Sequence, residues 1–206
     1  MGRILALIVT IVFQPLIMPT LVFGLILFGV PEASSVPTEF KLRIFYLILL
    51  STLVIPMITI IGLRLSGTVK SLHMAELKDR LIPFSVTSLY FLMTVYFMSQ
   101  IGELDPIMWQ SLAVIAGVVV VLTIVTLFWK MSAHMTGVGG VLALVVVFGM
   151  KFPNFSALYP LLLSIVLAGI IGTARLALDA HRPLEIYVGM AYGFVSCFVL
   201  YFWLWS

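Results

Sequence analysis

The stretch ARLALDAHRPLE places Arg175, Asp179, His181, Arg182 and Glu185 between two apolar runs. His181 and Glu185 are four residues apart, so a helix through them stacks the two side chains on one face. A carboxylate beside an imidazole fixes its tautomer and raises its basicity, as in a catalytic triad. An arginine six residues before the histidine offers a planar fork that holds two phosphate oxygens. In a partly helical segment Arg175, Asp179 and Arg182 also become near neighbours. The competing reading is a solvated interfacial loop in which Arg182 and Glu185 merely anchor a helix end. Spacing alone does not separate the two.

A second polar corner reads WKMSAHMTGVGG, with Lys130, Ser132 and His134 inside five residues and a glycine-rich helix start behind them. A helix amino terminus presents free N–H groups and the positive end of a dipole to an anion. Ser132 adds a hydroxyl donor and His134 an acid. Gly137, Gly139 and Gly140 serve close helix packing equally well. A third corner, HMAELKDRLIP, supplies Lys78 and Arg80 just before a span that opens near Pro83; by itself it reads as an ordinary charged loop.

The elements that must position these corners are membrane spans. Of the 206 residues 63% are hydrophobic and 9% charged, and the mean hydropathy is +1.24. Soluble domains carry about a quarter charged residues. The composition therefore predicts an all-α integral membrane protein, a polytopic bundle of six or seven transmembrane helices in one domain over 1–206. Apolar runs of about 20 residues mark the spans: 4–29, 42–63, 81–101, 107–129, 135–150, 155–173 and 186–205. The fifth is the shortest and leaves a merged or re-entrant reading open. Pro15 and Pro19 lie inside the first, so its neighbours must satisfy the freed backbone groups or the helix kinks. That run begins at Arg3 like a signal peptide, but it is too long and lacks a clear small-residue cleavage site; the expectation is that it is retained. Cys197 is the only cysteine, which excludes an internal disulfide framework or a cysteine metal site.

Seven spans divide the connections between two faces. Arg3, Arg64, Lys70, Lys78, Arg80, Lys130, Arg175 and Arg182 fall on one; Lys41, Arg43 and Lys151 fall on the other. The eight-to-three bias fits the positive-inside rule and fits an anion site equally. All three histidines, His73, His134 and His181, join the cation-rich face. Histidine is no topology signal, and its titration near neutrality suits proton transfer or metal binding.

In order and spacing the three corners resemble the motifs of the type 2 phosphatidic acid phosphatase superfamily. The third motif matches through Arg175, five residues, His181, three residues and Glu185, with Pro183 and Gly189 where that family often has proline and glycine. The second resembles MSAH, with Ser132 and His134 in register and Ala133 in place of glycine. The first departs most: Pro83 stands three residues after Arg80 rather than next to it, and His73 stands where a lysine is expected, with Lys78 as a substitute charge. The likeness covers residues 64–193, with the span over 4–29 as an addition.

The resemblance implies a metal-independent, cofactor-free phosphatase acting on a membrane lipid phosphate. Phosphatidate, phosphatidylglycerol phosphate and polyprenyl diphosphate all suit it. His181 would attack phosphorus, Glu185 would orient it and His134 would protonate the leaving oxygen. Arg175, Arg80, Lys78 and Ser132 would hold the phosphate oxygens. It also implies a bacterial inner membrane, no nucleic-acid partner, and a glutamate that must reach where the family has the shorter aspartate. Two other classes compete. One is an inactive relative that binds lipid or serves as a structural subunit of a membrane complex, which the altered first motif favours. The other is a transporter or receptor, which the near absence of ionisable residues from the span centres disfavours.

Overall fold

The computed structural model describes residues 2–69 and 77–206, except for the side chain of Lys78. His73 and Lys70 lie outside the described residues. Among those described there is no strand. The helices are α1 (Arg3–Val12), α2 (Met18–Gly24), α3 (Thr38–Leu49), α4 (Ile55–Leu65), α5 (Leu77–Ser99), α6 (Pro106–Val125), α7 (Ala133–Lys151), α8 (Leu158–Ala177) and α9 (Pro183–Leu204). Short π and 3-10 turns extend or join several of them. Seven helical stretches are long and apolar enough to cross a membrane: Arg3–Gly29, Thr38–Leu65, Asp79–Ser99, Pro106–Val125, Ala133–Lys151, Leu158–Ala177 and Pro183–Leu204. The chain is an all-α, polytopic integral membrane protein.

Local chemistry sets the helix starts. Pro106 and Pro183 occupy the first helical positions, where the missing N–H is not needed and the fixed φ suits the helix. Asp105 caps α6 by accepting from the Ile107 amide at 3.0 Å. Its other oxygen accepts from Ser35 N and Ser35 Oγ at 2.6 and 2.8 Å. The fifth span is a separate 19-residue helix, and it is the most buried of the seven. It is neither merged nor re-entrant.

The first span is broken. Helix α1 stops at Val12; Phe13 leaves helical geometry, and Gln14 is extended with ψ 151°. A 3-10 turn over Pro15–Ile17 then restarts the chain into α2. The physical cause is Pro15, whose ring disfavours the α conformation in the residue before it. Pro19 is harmless, because it sits in the first turn of α2.

The chain divides into two compact units, residues 1–18 with 130–206, and residues 19–129. In the second, α5 and α6 are joined by a Ser88–Thr123 hydroxyl contact of 3.0 Å, and α4 meets α5 through Thr59 and Tyr90, also at 3.0 Å. In the first, α7 and α9 approach very closely. A Cβ on Gly189 would lie 2.8 Å from the Ser132 carbonyl oxygen, and one on Gly193 would collide with the Thr136 carbonyl. Gly139 and Gly140 meet α9 from the other side, near Met190 and Cys197. Gly137 points elsewhere, at Met18. Met18, Met135, Val138, Ile171 and Ile186 form the core of this unit.

Candidate functional site

The ARLALDAHRPLE stretch is the corner between α8 and α9. Its α8 end closes with a Schellman motif. Ala180 N donates to Arg175 O at 3.1 Å, and Asp179 N donates to Leu176 O at 2.9 Å. The motif needs a left-handed residue, and Asp179 takes that place with φ 53°, where glycine is the usual choice. This reversal sends Asp179 outward; it forms no ion pair with Arg175, contrary to the neighbourhood expected of a helical segment.

His181 and Arg182 then lead into α9. The expected pair forms: His181 Nδ1 lies 2.8 Å from Glu185 Oε2. The same oxygen accepts from the Arg182 backbone N–H at 3.1 Å, which is the reach-back half of a capping box. The longer glutamate therefore meets the imidazole from the third helical position. Both residues are buried, the His181 side chain to 1% exposure. With Glu185 ionised, Nδ1 carries the proton, which makes Nε2 the nitrogen able to act as a nucleophile.

Glu185 also anchors α7. Its backbone carbonyl accepts from Ser132 N at 3.2 Å, an approach that the absence of a side chain on Gly189 allows. Ser132 is fully buried and caps α7. Its hydroxyl accepts from Met135 N at a long 3.5 Å, and its carbonyl accepts from Thr136 Oγ1 at 3.0 Å. The amino termini of α7 and α9 thus meet at one place.

Arg175 lies in the last turn of α8, 5% exposed, and its Nε is buried without a hydrogen-bond partner. One turn earlier, a Cβ on Gly172 would lie 3.7 Å from Ile186 and from Met135, so α8 packs against the first turns of α7 and α9 at this level. A buried guanidinium with an unsatisfied donor is costly unless something accepts from it.

His134, two residues beyond Ser132, is half-buried, and its Nε2 lies 3.2 Å from Thr10 O on α1. Arg80 belongs to the other unit, where it is 3% exposed near the start of α5. The Lys78 side chain lies outside the described residues. Among the described residues, no group of three histidine, cysteine or acidic side chains is placed to hold a metal. The structure thus joins Glu185 directly to both Ser132 and His181 and buries Arg175 in the last turn of α8. Thr10 was not foreseen; the one available signal was Pro15, which marks where the first helix must stop.

The class of molecule is thus a membrane-spanning helical bundle with a buried histidine–carboxylate pair where three helix ends meet. No protein family, curated protein or solved structure matches this chain.

Proposed function

We propose that the protein is a membrane lipid-phosphate phosphatase, related to the type 2 phosphatidic acid phosphatases and working through a phosphohistidine at His181. The observation that carries this reading is the buried His181–Glu185 pair at 2.8 Å, supported by the buried Arg175 at the end of α8, whose Nε has no hydrogen-bond partner. In the first step the Nε2 lone pair of His181 bonds to phosphorus as the bond from phosphorus to the lipid oxygen breaks. Glu185 holds the Nδ1 proton and stabilises the charge that develops on the ring. His134 gives a proton to the leaving oxygen. Water then displaces the histidine from phosphorus and His134 takes up its proton. Arg175 and the meeting helix amino termini stabilise the phosphoryl oxygens, which is most of what this transfer demands. The substrate class is a phosphate or diphosphate monoester of a lipid such as phosphatidate, phosphatidylglycerol phosphate or a polyprenol, in a bacterial inner membrane.

The test is phosphate release in detergent from these three lipids, with no metal added, comparing wild type with His181→Ala. Release by the wild type that vanishes in the variant supports the phosphatase. A folded wild type that releases nothing from any of them sinks it. The 1% exposure of the His181 side chain favours a second reading, an inactive relative that binds lipid as a subunit of a membrane complex. Retention of a lipid phosphate without turnover would support that reading.

A further inference from the structure

A lipid with its phosphate at His181 must send its tail somewhere, and the core of the unit closes the inward route. Ile186 follows Glu185 directly and Met135 follows His134. Both pack with Val138, Ile171 and Met18 into a solid core in which no member is more than 6% exposed. The tail therefore runs along an outward face of the bundle. On α1 and α8 those faces are aliphatic, with Ile8, Ile11, Leu162, Leu163 and Val166 each more than half exposed.

Helix α9 differs. Tyr187, Ala191, Phe194, Phe198 and Phe202 follow one another at intervals of three or four residues, so they share one face of the helix. Tyr187 is 71% exposed and Phe202 37%; Ala191 is exposed, and Phe194 and Phe198 are half-buried. The phenylalanines form a continuous ladder. Phe194 and Phe198 stack with ring centroids 5.8 Å apart and planes 14° from parallel, and Phe198 and Phe202 repeat this at 5.8 Å and 26°. Lys151 holds the far end, its Nζ 3.9 Å from the Phe202 ring centroid. The near end adjoins the site, because Tyr187 is two residues beyond Glu185.

We infer that the α9 face from Tyr187 to Phe202 is the track for the tail of the lipid, and that its stacked phenylalanines select an isoprenoid chain over a saturated one. The direction of the lipid, phosphate at His181 and tail on α9, rests on the phosphatase reading. An isoprenoid chain carries flat alkene units and branching methyl groups that lie against aromatic rings, whereas a saturated chain has no flat side to offer. Its regularly spaced double bonds also leave fewer rotatable bonds to freeze when the chain is laid along a helix. The rings brace one another before any lipid arrives, so little side-chain freedom is lost on binding.

The experiment compares geranylgeranyl diphosphate with hexadecyl diphosphate, which share a headgroup and main-chain length, using the full chain in detergent. Phe194 and Phe198 lie about 14 and 20 Å along α9 from Glu185, within reach of an extended chain of that length. The expected kcat/KM is about tenfold higher for the isoprenoid, mostly through KM, which is the scale of one or two aromatic contacts. In Phe194→Leu/Phe198→Leu the ratio falls towards one. In Val195→Leu/Val199→Leu, exposed on the adjoining side of α9, the ratio is kept. A wild type that treats the two substrates alike overturns the inference, as does a folded Phe194→Leu/Phe198→Leu protein that still separates them.

A second measurement needs neither a variant nor turnover. A geranylgeranyl diphosphate analogue with a photoreactive diazirine at its tail end should label the wild-type chain within residues 191–202. Unlabelled geranylgeranyl diphosphate should suppress that labelling more strongly than hexadecyl diphosphate does. Labelling absent from α9, or suppressed equally by both, overturns the track. A wild type that releases no phosphate from either substrate sinks the phosphatase reading, while the labelling pattern still decides whether α9 holds an isoprenoid tail.

Discussion

At the scale of single residues, the corner between α8 and α9 makes strong demands on Asp179 and Glu185. Asp179 is held in the left-handed region at φ 53°, where a Cβ costs energy that glycine avoids. Asp179→Gly is expected to stabilise the protein by about 1 kcal/mol, read as a higher unfolding midpoint in detergent; a lower midpoint would mean that the aspartate side chain holds the corner by contacts of its own. Glu185 carries more. One oxygen serves both the His181 ring and the Arg182 amide, so Glu185→Ala strands two donors at once. The expected cost is about 1–3 kcal/mol for leaving such groups unsatisfied, together with loss of phosphate release. Glu185→Gln keeps an acceptor oxygen and should recover most of the stability but not the activity. His134 separates the same way: the amide of His134→Gln can still donate to Thr10, so it should unfold near the wild-type midpoint, whereas His134→Ala should unfold earlier.

At the scale of elements, the site exists because α7 and α9 nearly touch. Glu185, Gly189, Gly193, Cys197 and Tyr201 recur every four residues along α9, and all are buried. One stripe therefore places the carboxylate at its head and the two glycines where α7 crosses closest. Gly189→Ala would set a methyl 2.8 Å from the Ser132 carbonyl oxygen, at the point where Ser132 N donates to Glu185 O. Forcing helices apart in this way costs about 1–3 kcal/mol. The unfolding midpoint and phosphate release should fall together. Gly169→Ala is the matched control, since a Cβ there meets nothing within 4 Å. An exposed helical glycine gains about 0.8–1 kcal/mol on becoming alanine, so that variant should be as stable as wild type or more so.

At the scale of the whole molecule, seven crossings would put the two ends of this chain on opposite sides of the membrane. Seven stretches qualify. Reporter fusions at Gly2 and at Ser206 should therefore report from opposite compartments. Two reporters on the same side would remove one of the seven from the set of true spans. The same fusions fix which side carries the cation-rich corners, because the positive-inside bias and a phosphate site both collect lysine and arginine.

The sequence by itself determined the class and the layout of this protein. Apolar runs of span length are read directly because a bilayer leaves backbone polar groups no partner except each other, and all seven runs are mainly helical, the first with a break at Phe13–Gln14. The pairing of His181 with Glu185 was legible for a similar reason: residues four apart near a helix start meet by local geometry alone. What only the tertiary structure decided is everything that depends on contacts distant in the chain. Ser132 donates to the Glu185 carbonyl because Gly189 lets two helices close, and no local pattern assigns Gly139 to α9 and Gly137 to Met18. His134 answers to a carbonyl more than a hundred residues away, freed by a proline whose presence was visible and whose partner was not. Arg175 was legible as a candidate fork for phosphate, six residues before His181, but its burial was not. It became the buried guanidinium with an unsatisfied Nε only when α8 packed against the first turns of α7 and α9, because burial is a property of the packed bundle and not of the residue.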